Sequence, residues 1–375
     1  MSKARIDDSL IGGEGAGSGS VSDSVSGAGS GSVSAQSSKV RKRVSKKKVI
    51  KIVVICLAVF IVLNLIGAGV GTAVSITHPK LETYENRKEY NTKGDLWGGF
   101  NNYDKEEYIV KGYQDYELHC MSVASSATRG TGKYVIISHG HKSNMYGVVK
   151  FVDPYIELGF TCIIYDLRTH GANEKSICSM GGLESLDLSC LIDDTFSRFG
   201  DVAVLGLQGE SMGSLASLNV LRYTDKVDFV VSDCGFESLK YMVHDMYNDM
   251  HLYPFGTCAD IGFKLLYGID TGEINAIEAM KLRNVPVLFV HGGDDDWIDV
   301  QNSMDMYDEA QKHAHSEIWI VPGADHARSR DVAGKDSYRN HIESFLEAAG
   351  VVAGADVGAE GAESVEGVEC AAEAA

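Results

Sequence analysis

Gly209-Glu210-Ser211-Met212-Gly213 decides how this chain is read. A short apolar run, residues 202–207, precedes it, and a helix-like segment, 215–223, comes after it. Strand, Gly-x-Ser-x-Gly turn and helix together make a nucleophile elbow. So sharp a turn crowds its flanks against the serine backbone. Gly209 and Gly213 remove the β-carbons that would clash, which leaves Ser211 at the tip with its hydroxyl clear of the sheet. Backbone N–H groups of the helix starting there point at the same spot and stabilise a developing oxyanion. The string alone also fits an ordinary Gly/Ser turn, so its surroundings carry the decision.

Around the elbow, short β-rich runs alternate with helix-like segments. The sequence predicts strands at 117–123, 134–138, 161–165, 202–207, 229–232, 287–291 and 317–321. Helices are predicted at 145–158, 183–199, 211–223, 300–314 and 337–348. Strands apolar throughout are buried on both faces. The fold class is therefore α/β, a mostly parallel sheet with helices on both faces. Ligand sites in such sheets lie beyond the carboxyl ends of the strands. Residues 236–284 break the alternation and read as a small helical, cap-like insertion that shapes the pocket.

A serine hydroxyl needs a base to take its proton and a carboxylate to orient that base. His326, in Pro322-Gly323-Ala324-Asp325-His326-Ala327, lies after the last predicted strand in a patternless loop. Imidazole titrates close enough to ambient pH to accept and return a proton. The acid belongs between serine and histidine in chain order. His291-Gly292-Gly293-Asp294-Asp295-Asp296 supplies three neighbouring carboxylates after the penultimate strand, of which Asp295 is the choice. Asp233, directly after the 229–232 strand, is the alternative acid. The oxyanion hole takes two backbone N–H donors. Met212 supplies one, and His141 the other, in a loop where Gly140 lets the backbone approach a ligand. His139 and His141 lack a third ligand at a metal-binding spacing, so no metal and no cofactor are expected.

These residues resemble the α/β-hydrolase superfamily over roughly residues 110–348. The motifs are His139-Gly140, Tyr165-Asp166-Leu167-Arg168-Thr169-His170-Gly171, the elbow, the 291–295 acid loop and the 324–327 histidine loop. They look most similar to bacterial serine aminopeptidase-like hydrolases, many of which have one N-terminal membrane span. The resemblance implies Ser211 as nucleophile, Asp295 as acid and His326 as base. It also implies that the 166–171 segment is a structural turn, so Asp166 and His170 are not enlisted. One departure is Asp299, where such proteins often have proline after the acid loop.

The remaining sequence organises the chain around this domain. Residues 1–38 are low-complexity Gly, Ser, Ala and Val, and 349–375 form an Ala/Gly/Glu-rich acidic tail. Neither buries enough apolar surface to offset chain entropy, and both read as disordered. The net charge is −18, yet residues 39–51 form a basic cluster containing Arg41, Lys42, Arg43, Lys46, Lys47, Lys48 and Lys51. Nucleic-acid binding is set aside because the cluster runs straight into an apolar stretch. Residues 52–76 contain no charged side chain, enough to cross a ~30 Å hydrocarbon core as a helix. The expectation is one transmembrane helix through a lipid bilayer, basic side cytoplasmic. A 77–107 linker then leads to an extracytoplasmic domain at 108–348. A cleaved signal peptide, typically with a shorter apolar core and no such long basic arm, remains the alternative because of the small residues between Gly67 and Ser75. A buried soluble helix is rarely apolar all round for this length. Of the eight cysteines, Cys178 with Cys190 is a thinkable local bridge, but spacing fixes no connectivity.

The sequence therefore points to a membrane-anchored serine hydrolase acting on a small-molecule acyl ester or thioester. A peptide substrate, or acyl transfer on the same fold, is the alternative. A catalytically inactive surface scaffold is the rival from another class. It would be expected to lose triad members, and none is missing here.

Overall fold

The computed structural model describes residues 45–93 and 96–352. The 1–38 arm, the first part of the basic segment and nearly all of the acidic tail lie outside the described residues. In chain order the elements are α1 (Lys46–Thr77), α2 (Tyr84–Lys93), β1 (Asp104–Lys111), β2 (Glu117–Ala124), β3 (Lys133–Ser138), α3 (Val152–Glu157) and β4 (Thr161–Tyr165). They continue with α4 (Leu183–Phe199), β5 (Val204–Glu210), α5 (Met212–Asn219), β6 (Phe229–Asp233), α6 (Leu239–Asp249), α7 (Tyr253–Tyr267) and α8 (Ala276–Met280). The last are β7 (Val287–Gly292), α9 (Gln301–Ala310), β8 (Ser316–Val321), α10 (Ser329–Ala333) and α11 (Lys335–Ala348).

The strands form one eight-stranded sheet in the order β1-β2-β4-β3-β5-β6-β7-β8. The β1–β2 and β2–β4 pairs are antiparallel and all later pairs are parallel. Side chains alternate across the central strands, and both faces are buried. Ile136, Ile163, Leu207, Val230 and Phe289 enter one core. Their neighbours Val135, Ile164, Val231, Leu288 and Val290 enter the other. This two-sided burial is why the strands read as unbroken apolar runs.

The sequence reading misses β1, and the cause is its position. Its opening residues Asp104, Lys105, Glu106 and Glu107 are exposed. An edge strand carries charge because charge blocks pairing with another chain, and that charge hides the apolar pattern. The predicted 145–158 helix also divides, with a 3-10 turn over Met145–Phe151 preceding α3. Cys178 is a free, fully buried thiol whose Sγ lies 3.4 Å from Met212 Sδ, so it makes no local bridge with Cys190.

The turn after β4 is fixed by a buried ion pair. Arg168 donates from Nε and Nη2 to the two carboxylate oxygens of Asp187 on α4, at 2.8 and 2.6 Å. Asp187 also accepts the Tyr113 amide at 2.9 Å. The acid is fully enclosed and the guanidinium nearly so. Removing one partner of such a pair strands a charge in the interior. Asp187→Ala is therefore expected to lower unfolding free energy by about 3–5 kcal/mol, read from urea unfolding. A loss below ~1 kcal/mol, the range of exposed pairs, would show that water reaches the site.

Candidate active site

The elbow is held by backbone contact. Ser211 adopts φ 56°, ψ −118°, a strained conformation for a residue with a side chain. Its amide donates to Asp233 O at 2.8 Å, which ties the tip to the end of β6. A β-carbon on Gly209 would stand 2.3 Å from Gly213 O, and one on Gly213 would stand 2.2 Å from Ser138 O. Neither position tolerates a side chain, because β5, α5 and the end of β3 touch through their main chains. Gly140 in turn comes so close that its β-carbon would lie 3.4 Å from that of Ser211.

Three loops at the carboxyl edge of the sheet converge there. His326 Nε2 lies 3.0 Å from Ser211 Oγ, and His326 Nδ1 lies 2.8 Å from Asp295 Oδ2. A carboxylate only accepts, so Nδ1 carries the proton and Nε2 is left to receive the serine's. The other Asp295 oxygen accepts the Trp297 and Ile298 amides, both at 3.0 Å. Burial acts to raise the Asp295 pKa. The hydrogen bonds from His291 and His326 outweigh it and hold the carboxyl well below its usual range. A β-carbon on Gly292 would lie 2.2 Å from Ala324 O, so glycine lets the acid loop and the histidine loop close.

The other acidic residues point elsewhere. Asp233 accepts from the Tyr338 hydroxyl at 2.9 Å, and burial raises its pKa to about 6. Asp294 and Asp296 are exposed. Cys234 Sγ comes within 4.8 Å of the nearest polar atoms of Asp295 and His326. Both His326 nitrogens are already engaged, and burial pushes the Cys234 thiol far up, so this trio is a poor cation site.

The loop carrying Gly140 and His141 is pinned from behind by three neutral imidazoles. His139 donates to Gly140 O at 2.8 Å and accepts the Leu167 amide at 3.0 Å. His170 donates to Arg168 O at 2.8 Å and accepts the Lys142 amide at 3.2 Å. His141 donates from Nε2 to Ile76 O at 3.2 Å. Among the described residues no acceptor takes the main-chain N–H of His141 or Met212, which leaves both for a ligand oxygen.

Two groups had no signal in the sequence. Trp297, 75 % exposed, stacks beside His326 with ring centroids 6.1 Å apart. With Asp296, Asp325, His326 and Arg328 it lines a cleft of about 390 Å³. Lys150 is buried against the Glu210 carboxylate and donates to Ala327 O at 2.7 Å, linking the elbow to the histidine loop. Neither belongs to a motif. Only the folded chain brings them to the site.

The chain resembles known proteins in sequence and in fold. Residues 194–351 match the model of the prolyl oligopeptidase family, a stretch that holds Ser211, Asp295 and His326. The uncharacterized protein YqkD of Bacillus subtilis (strain 168) is 27% identical over 295 residues, covering 76% of this chain and 94% of its own length. The Pyrococcus furiosus esterase Pf2001 superposes with TM-score 0.55 at 18% identity, covering 73% of this chain and 97% of the esterase. A Pyrococcus horikoshii acylaminoacyl peptidase gives TM-score 0.52 at 15% identity, covering 66% of this chain and 42% of its own. The chain shares the α/β-hydrolase fold of these proteins. Over residues 194–351 the sequence is similar to a peptidase family, and the fold is shared with an esterase and a peptidase.

The neutral imidazoles make the loop's stability depend on pH. Burial depresses His170 to about 4, and burial with the neighbouring His170 and Lys142 does the same for His141. Between ~6.5 and 4 the unfolded chain binds protons that these buried rings refuse, so their contribution to stability is lost as pH falls. Glutamine at 170 still accepts the Lys142 amide but does not titrate. The stability advantage of wild type over His170→Gln should shrink by roughly 3 kcal/mol from pH 6.5 to 4, read from urea melts at matched pH. A constant gap would mean that His170 titrates as it does in water.

Proposed function

We propose that this chain is a membrane-anchored hydrolase that cleaves an acyl ester or thioester through an acyl-enzyme on Ser211. The observation that carries the reading is the hydrogen-bonded series Ser211 Oγ, His326, Asp295, at 3.0 and 2.8 Å. His326 Nε2 takes the hydroxyl proton as Oγ bonds to the acyl carbon. The carbonyl oxygen becomes an oxyanion held by the Met212 and His141 amides. Asp295, kept ionised, stabilises the imidazolium and fixes its tautomer. The imidazolium then protonates the leaving alcohol or thiol. Water, deprotonated by the same nitrogen, attacks the acyl-enzyme and releases the acid.

Esters and thioesters are favoured because their leaving groups depart with less protonation than an amine needs. The match to the prolyl oligopeptidase family and the likeness to an acylaminoacyl peptidase support peptide cleavage as the second reading. Acyl transfer differs only in what resolves the intermediate. Anchoring is supported by α1, a 32-residue helix with no charged side chain after Lys51, whose side chains from Ile52 to Asn64 are exposed. Lys46, Lys47, Lys48 and Lys51 at its start favour a cytoplasmic N-terminus, which puts the hydrolase domain outside.

Fluorophosphonate should label the wild type and leave Ser211→Ala unlabelled. Labelling that survives the substitution removes Ser211 as nucleophile. Asp295→Asn should lower kcat by about 10⁴-fold, as loss of the orienting acid does elsewhere, whereas Asp233→Asn should leave it within about tenfold. Turnover of p-nitrophenyl esters of graded chain length, beside aminoacyl p-nitroanilides, separates the two substrate readings. Higher kcat/KM on the anilides would make the protein a peptidase.

A further inference from the structure

We propose that the face of α7 that meets α1 continues into the surface of the lipid bilayer, giving the hydrolase domain a second, interfacial membrane contact. The inference rests on α1 crossing a bilayer, and it adds which surface of the domain meets the lipid.

The first argument is a length. The uncharged part of α1 that precedes its contact with the domain is residues 52–68. As a helix this spans roughly 26 Å, against a hydrocarbon core of ~30 Å. At Gly69 the helix already touches α7. A β-carbon on Gly69 would stand 2.2 Å from Cys258 O, and one on Gly262 would stand 2.5 Å from Gly69 O. Backbones meet there through small residues, as membrane helices do. The clamp continues up α1. The Thr72 and Tyr247 hydroxyls bond, Ala73 is fully buried beside Ala259 and Phe263, and Thr77 O accepts the Cys178 amide at 2.9 Å. No slack remains between the end of the hydrocarbon-length run and the domain, so α7 is held at the bilayer surface.

The second argument is what α7 offers there. At ~100° per residue, Leu265 and Leu266 lie within about 60° of the Cys258–Gly262 line that contacts α1. They are 80 % and 47 % exposed, and Ile261 beside them is 52 % exposed. Past the crossing the same face thus turns from packed to bare and apolar, and Ile66 and Val70 on either side of Gly69 are exposed as well. Asp260 is turned away to His244 and Thr271, and Lys264 is paired with Asp270 at 3.2 Å, so no unpaired charge of α7 interrupts this stretch. An exposed apolar face whose charges are paired suits the bilayer interface.

The test uses the full chain in nanodiscs of dioleoylphosphatidylcholine or its dibrominated analogue. Tryptophan is introduced at Leu265 or, as a control, at exposed Glu343 on α11. Brominated chains should quench the added emission of Leu265→Trp about two-fold, since an interfacial face lies ~5–10 Å deep, and leave that of Glu343→Trp nearly unchanged. Equal, weak quenching at both positions overturns the proposal. So does shielding of position 265 that appears only with rising protein concentration, which would make the occupant a second copy. Alkaline extraction and fluorophosphonate labelling on the same sample separate the failures. A retained, labelled chain with an unquenched Leu265→Trp refutes the interfacial contact alone. A chain stripped by alkali refutes the anchor, and this contact with it.

Discussion

The backbone of Ser211 is the constraint on which the site depends. A residue with a β-carbon at φ 56° costs on the order of 1–3 kcal/mol and persists only where its surroundings over-determine it. Here the β6 carbonyl of Asp233 takes its amide, and glycines on either side let three backbones touch. The reward is position. The hydroxyl leaves the sheet at the one edge where every parallel crossover delivers a loop, and the acid and histidine loops arrive at that edge from β7 and β8.

The electrostatics around that point are divided by protonation state. Asp295 receives N–H donors on both oxygens and stays charged at ordinary pH. His139 and His170 are buried, His141 is half-buried, and burial keeps all three neutral, so each offers one donor and one acceptor. That dual capacity lets them stitch the Gly140 loop to the turn after β4 and to the end of α1. Lys150 and Glu210 form a third arrangement, a buried pair whose lysine is kept protonated. Burial alone would lower it, and Glu210, Asp331 and Asp233 raise it by more.

Much of this was legible in the chain. Unbroken apolar runs announced a doubly covered sheet, and the elbow glycines announced a close approach. Asp295 and His326 stood in loops after strands, and the fold brings both to Ser211. What escaped had local sequence at odds with its place. β1 is charged because it is an edge. Cys178 packs against Met212 instead of pairing, since the fold buries it alone. Asp166 and His170 sit in a turn read as structural, and they do hold structure, but the structure they hold is the loop behind Ser211. Trp297 and Lys150 belong to no motif, because stacking on an imidazole and bridging two loops are relations in space.

By itself, the sequence determined the alternation of strand and helix, the sharp turn at Ser211 and a helix apolar enough for lipid. These are local properties, set by periodicity, glycine sterics and side-chain hydration. Only the tertiary structure decided which of several carboxylates meets His326. It likewise decided that the Gly140 loop rests on neutral imidazoles, and that the end of α1 is packed against α6 and α7. Such choices turn on distances of a few ångströms between segments from 28 to 175 residues apart, and no local pattern encodes them.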